Sequence, residues 1–286
     1  MNLFQCILIG TFCLGVTDSA AGFQVTDAYT TMIETWHQQR LANLKSEEGW
    51  LNLAGLFRLR AGLNTFGSDA TNDLVFPKGA PRQGSLLVQE GTVIAIFASG
   101  GDSLQVFGAS KEPVITAHGT LRWYIIQRGD RYYVRLRDLE HPKIADFQGI
   151  ERFPVDSTWR LKAQLEPADS GFGIFVTDVI GTQSWQASPG AFVFTVAGER
   201  YRLYPTFAGD SLFFVFGDAT NGERTYGAGR FLYAPLPDSN GYTTLDFNKA
   251  YNPPCAFSAF ATCPLPIADN ILPIAIPAGE QNYEHD

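Results

Sequence analysis

From Trp50 onward the apolar residues of this chain recur at every second position, in short runs broken by Gly, Asn, Asp, Ser or Pro. A period of two places successive side chains on opposite faces of an extended backbone, so such runs predict half-buried antiparallel strands. "WLNLAGLFRLRAG", "TVIAIFAS", "SLQVFGA" and "PVITAHG" read as strands in the first half of the chain. "GFGIFVTDVIG", "GAFVFTVAGERYRLYPTF", "SLFFVFGD", "GRFLYAPL" and "GYTTLDFN" continue the pattern in the second. Strands at this spacing, joined by turn residues, build a sandwich or a barrel. The 22 Phe, 28 Gly and 16 Pro among 286 residues serve the same architecture.

"TLRWYIIQRGDRYYVRLRD" predicts a hairpin turning at Arg128–Arg131, with Leu121, Trp123 and Ile125 facing the core from one strand and Tyr132, Val134 and Leu136 from the other. The arginines of 128–138 alternate with apolar residues, as on the solvated face of a strand. One helix is expected over 27–46, where Ile33, Trp36, His37, Arg40, Leu41 and Leu44 follow a 3–4 spacing behind Asp27 as an N-cap. The organisation expected is a leader at 1–21, a helical segment at 22–50, a β-module at 51–150 and a second β-module at 151–286.

Leu3 to Val16 is an apolar run too short for an ordinary membrane helix, followed by the small residues Ser19, Ala20 and Ala21. This predicts a signal peptide cleaved after Ala21, export to the periplasm or the outside, and no stable membrane span afterwards. No lipobox precedes Cys6 or Cys13. A net charge of −8 without a basic run excludes nucleic acid as the expected partner.

The run at 57–77, "FRLRAGLNTFGSDATNDLVFP", resembles the opening of a forkhead-associated β-sandwich at Gly62, Asn64, Gly67, Asn72, Asp73 and Leu74. Position 68 is Ser, where binding members of that family carry the Arg that holds phosphothreonine. The resemblance therefore implies the sandwich without phosphopeptide binding. "IIQRGDRYYVRLRD", "TYGAGRFLYAPLP" and "LDFNKAYNPPCAFSAFATCPLP" resemble a bacterial family known as domain of unknown function 1684, over about residues 45–282. That likeness implies no activity; it marks the segments around Gly227–Leu232 and Leu245–Asn270 as the family's defining core.

The chain carries no Gly-x-Ser-x-Gly elbow, His-Glu-x-x-His or Walker loop. "YGAGRF" reads as a turn before a strand. His37, His118, His141 and His285 are scattered, so neither a metal nor a cofactor is expected. Chemistry concentrates at 245–270. Cys255 and Cys263 form a local disulfide, stay as buried thiols, or supply a thiolate or soft-metal pair. Asp246 and Asn248, two apart on a strand, share a face; Tyr251 and Asn252 follow, and Arg230 needs an acid, Asp246 or Asp218. Gathered in one cavity, Arg230, Asp246, Asn248, Tyr251 and Asn252 would bind a ligand. The alternative has Asp246 and Asn248 cap turns at the strand end, with Asn252 before Pro253 as an extended turn entry.

The expectation is therefore a mostly β protein with a short N-terminal helix, a forkhead-associated-like sandwich and a second antiparallel barrel or sandwich closed by a Pro/Cys strap. It would hold a small polar ligand or a cell-envelope partner between the second module and the strap. A hydrolase using Asp246, Tyr251 and Arg230, or a purely structural envelope protein, are the alternatives.

Overall fold

The computed structural model describes residues 20–110 and 112–283, with side chains from Ala28 onward. The expected leader, with Cys6 and Cys13, lies essentially outside the described residues, as does His285. Helix α1 spans Ala20–Lys45 and so begins upstream of Asp27, the expected cap. Its stripe is the expected one: Ile33, His37 and Leu44 are buried, and Trp36, Arg40 and Leu41 half-buried.

The first β-module alternates as its sequence does. Strands β1 (Leu53–Arg58), β2 (Gly62–Gly67), β3 (Leu74–Val75), β4 (Gly84–Gln89), β5 (Thr92–Phe97), β6 (Leu104–Phe107), β7 (Thr116–His118), β8 (Leu121–Arg128) and β9 (Arg131–Asp138) form two sheets, ordered β1-β9-β8-β7 and β3-β2-β4-β5-β6. Between them lies a core of Phe66, Phe76, Leu86, Val93, Trp123, Ile125, Val134 and Leu136. The β8–β9 hairpin pairs Arg128 with Arg131 across its turn, and Leu121, Trp123, Ile125, Val134 and Leu136 all point inward as the period of two demands. Asn64 is buried and accepts the Arg60 amide at 2.9 Å, while Asp73 accepts the Thr65 amide at 2.9 Å, which pins the middle of β2 to the residue before β3.

The outer face of β9 departs from the sequence expectation. Arg135 and Arg137 are buried, not solvated. Their guanidiniums pack near the Trp50 ring, at 5.7 and 5.6 Å, because the segments before β1 and after Asn252 fold over this face.

After the short helix α2 (Pro142–Asp146), the second module contains β10 (Arg160–Pro167), β11 (Gly173–Thr177), β12 (Gln183–Ala187), β13 (Gly190–Val196), β14 (Glu199–Leu203), β15 (Thr206–Ala208), β16 (Ser211–Phe216), β17 (Arg230–Pro235) and β18 (Tyr242–Asp246). They pair as β14-β13-β10-β18, β15-β16-β17 and the hairpin β11-β12. The sheets do not close into a barrel; they pack face to face as a sandwich. The shared core is rich in Phe: Phe192, Phe194, Phe214, Phe216 and Phe247, with Leu245 from β18. Leu272, Ile276 and Ala278, from the irregular C-terminal segment, complete it. That segment also pairs with the start of the module, where Phe153 donates to the Gly279 carbonyl at 3.0 Å and Gln281 to that of Glu151 at 2.8 Å. Gly229, in the turn read from "YGAGRF", has φ 94° and packs so tightly that a Cβ would meet the Phe216 carbonyl oxygen at 2.6 Å. Only glycine fits there.

Candidate functional site

The five residues singled out in the sequence do not surround one cavity. Arg230 opens β17 and is fully buried. Its acid partner is Asp218, at 2.6 Å, not Asp246; its other bonds go to the carbonyls of Ile276 and Ala278. The second Asp218 oxygen accepts from the amide and hydroxyl of Thr220 and the amide of Ile276. The contacts to Ile276 and Ala278 fasten the C-terminal segment to the second core, while those to Thr220 hold the turn after β16.

Asp246 and Asn248 do not share a strand face. The strand β18 ends at Asp246, and Phe247–Lys249 form a 3-10 turn that Asp246 caps through the Asn248 amide. Their side chains still meet around Tyr29 of α1: its hydroxyl donates to Asp246 at 2.7 Å, the Asn248 side-chain amide reaches that hydroxyl at 3.1 Å and Asp246 at 3.3 Å, and Asn248 also bonds both amide and carbonyl of Asp156. Burial, with the Asp246 carboxylate beside it, pushes the Tyr29 phenol well above its ordinary range.

Tyr251 and Asn252 lie together, but against α1. The Tyr251 backbone bridges Phe231. Its ring stacks parallel to Tyr233, with the Arg40 guanidinium 4.6 Å from its centroid. Arg40 also reaches the Asn252 carbonyl at 3.0 Å and Glu280 at 3.2 Å, and Glu280 accepts the Asn252 amide at 2.7 Å. Burial holds the Glu280 carboxyl above its ordinary value near 4.5, against the pull of Arg40. A raised folded-state value means that the native protein holds this proton more tightly than the unfolded chain. The contribution is thus complete below about 4.5 and is lost as pH rises through the raised value. Glu280→Gln is expected to flatten the fall in stability above pH 4.5, as read from denaturant midpoints along a pH series.

Cys255 and Cys263 are joined by a disulfide, eight residues apart. Pro253 and Pro254 fix the entry to this loop, and Pro264 its exit. Ala261 and Cys263 are buried with Leu53 of the first module and Phe231 of the second, so the strap is wedged between the modules. Beyond Cys263 it makes a single antiparallel bridge just past the end of β11, Asp178 against Pro264: Val179 donates to the Cys263 carbonyl at 3.0 Å, and Leu265 to that of Thr177 at 2.8 Å.

A cleft of about 490 Å³ opens where strap, β11–β12 hairpin, β15–β16 and the β8–β9 turn meet. Strand alternation sorts its lining. Ile174 and Val176 face the cleft with their cross-strand partners Gln186 and Ser184. The alternate pair, Phe175 and Trp185, faces outward and is 67% and 50% exposed. In β16, Leu212, Phe214 and Phe216 enter the core while Phe213 and Val215 line the cleft. The strap contributes Thr262, Pro264, Leu265 and Ile267, and the first module Arg128. Asn270 forms part of the wall but is bonded to the backbone of Tyr204 and Val215. None of Arg230, Asp246, Asn248, Tyr251 or Asn252 lines it.

Sequence reasoning took the strap as the closure of the second module, whereas it is wedged between the modules, and overlooked the cleft residues. "QSWQA" gave no strand signal strong enough to reveal β12, and only the pairing of β12 with β11 shows which side of "GIFVT" faces inward.

Residues 145–281 match the model of a family described as "Protein of unknown function (DUF1684)". The match covers the second module and strap, a shorter stretch than the residues 45–282 over which the sequence resembled that family. No curated protein matches the chain. Among solved structures, the solution NMR structure of the uncharacterized protein from gene locus rrnAC0354 of Haloarcula marismortui is similar at 30% identity, with a TM-score of 0.41, over 50% of this chain and 80% of that one.

Proposed function

We propose that the chain is a non-catalytic binding protein whose ligand occupies the cleft beneath the β11–β12 hairpin. The observation that carries this reading is the construction of the cleft. Its apolar walls come from rigid strands, a few polar groups converge on it, and its strap is tied down by a disulfide and by an antiparallel bridge. In this reading the first sandwich, with its forkhead-associated-like opening, is a scaffold that supplies one wall. The disulfide supports an exported protein working in an oxidising compartment, periplasmic or extracellular.

No observation favours a hydrolase built on Asp246, Tyr251 and Arg230, because these three stand in separate bonded clusters. A cell-envelope partner in place of a small ligand has one observation in its favour, the paired and exposed Phe175 and Trp185 on the outside of the same hairpin.

A thermal-shift screen of metabolites and glycans tests the reading. A true ligand at ten times its dissociation constant stabilises the protein by about 1.4 kcal/mol. Val215→Trp, which fills the cleft from β16, is expected to leave the unliganded melting temperature close to that of the parent and to abolish the shift. Ligands that stabilise both proteins equally would place the site elsewhere.

A further inference from the structure

The first module meets the cleft through Gln127, Arg128 and Gly129, and behind Arg128 lies a cationic cluster whose charge is unbalanced. Arg128, Arg135 and Arg137 stand on one face of β8 and β9. Arg128 is half-buried; Arg135 and Arg137 are buried. None of the three has a carboxylate within ion-pair distance among the described residues.

Their acceptors are neutral. Arg137 bonds the Gly49 carbonyl and the Asn52 side chain. Arg128 Nε and Arg135 Nη2 converge on a single oxygen, Thr262 Oγ1, at 3.0 and 3.2 Å. Arg135 Nε is buried without a partner. Arg128 Nη1 reaches the Gln127 carbonyl, and its Nη2 makes no hydrogen bond among the described residues. Two guanidiniums sharing one hydroxyl repel each other, and burial strengthens the repulsion because water does not screen it. A chain with a net charge of −8 has carboxylates to spare, yet places none here. The one acid lining the cleft, Asp178, spends an oxygen on the Ile180 and Thr182 amides of its own turn.

We propose that the cleft takes an organic anion, its charged head at Arg128 and Thr262 and its apolar body against Ile174, Val176, Phe213 and Leu265. This deepens the reading of the cleft as a binding site and rests on it. The head supplies the counter-charge that the arginine cluster lacks. The walls bind the body by excluding water.

Four probes with one apolar body test it: phenylbutyrate, phenylbutyl phosphate, phenylbutanol and phenylbutylamine, titrated into the full chain and followed by the backbone amide resonances of Gly129, Thr262 and Val215. The acid or the phosphate is expected to bind about tenfold more tightly than the alcohol, the worth of one charge-assisted contact, and the amine more weakly than the alcohol. Whichever anion binds more tightly identifies the head group. Arg128→Gln is expected to reduce the anion's affinity to that of the alcohol and to leave the alcohol's affinity unchanged, which also shows that the variant's cleft is intact. Equal binding of acid, phosphate and alcohol, or tighter binding of the amine, would overturn the anion assignment while leaving the cleft a binding site. Binding by none of the four overturns the assignment too, and the screen against Val215→Trp then judges the binding reading by itself.

Discussion

Asp218→Asn is expected to destabilise the protein by about 3–5 kcal/mol, the usual cost of stranding one member of a buried ion pair. Both side chains of the Arg230–Asp218 pair are fully shielded from solvent. The variant leaves the guanidinium facing a neutral amide with no water to screen it. It also weakens the bonds by which the Asp218 carboxylate holds the Thr220 and Ile276 amides. Chemical denaturation with an unchanged denaturant slope is the measurement. A second variant separates charge from shape. Joint replacement by Arg230→Met and Asp218→Leu removes both charges and is expected to recover most of the loss. A double variant as unstable as the single one would mean that the carbonyl contacts to Ile276 and Ala278 matter more than the pair.

Opening the Cys255–Cys263 disulfide is expected to cost about 2.5 kcal/mol, from the chain entropy released by so short a loop. The paired substitution Cys255→Ser and Cys263→Ser gives the same result without reductant. The consequence is local as well as global. The strap supplies Thr262, Pro264 and Leu265 to the cleft, so ligand affinity should fall further than stability alone requires. Two measurements check this. Thiol titration of the unfolded protein without reductant should find no free Cys255 or Cys263. Protease should cut the reduced form first near Phe260, which is 37% exposed in the strap.

Most strands were legible because each carries its own signal; β12 was an exception. In "TLRWYIIQRGDRYYVRLRD" alternation alone identifies the core residues and the turn, and the structure agrees residue by residue. The helical stripe of α1 was equally plain, although its start lay upstream of the expected cap. The site was less legible, for a physical reason. Alternation shows that two faces differ, not what covers each. Arg135 and Arg137 read as solvent-facing because nothing within their own strand records that Trp50 and the strap fold over them. Asp246 and Asn248 read as a convergent pair because the strand was expected to continue, whereas it ends in the turn that Asp246 caps. Arg230 was correctly read as an inward arginine needing an acid, and of the two candidates the structure selects Asp218. The cleft itself depends on the pairing of β11 with β12 and on a strap that joins them. Such contacts are set by tertiary structure and leave little periodic trace.

The fastening of residues 276–282 also dictates an order of assembly. Arg40 of α1 binds Glu280, 240 residues further along the chain, and residues 151–153 pair with 279–281. On the ribosome the first sandwich can fold early, since its strands close among themselves between Leu53 and Asp138. The second core and the docking of α1 must wait until residue 280 has emerged. The helix is exposed without its final partners for most of synthesis, and the Phe-rich strands from about residue 190 to the arrival of the last segment. Contacts of such long sequence separation form slowly. The interval before the last segment arrives is when the nascent chain most needs protection from aggregation.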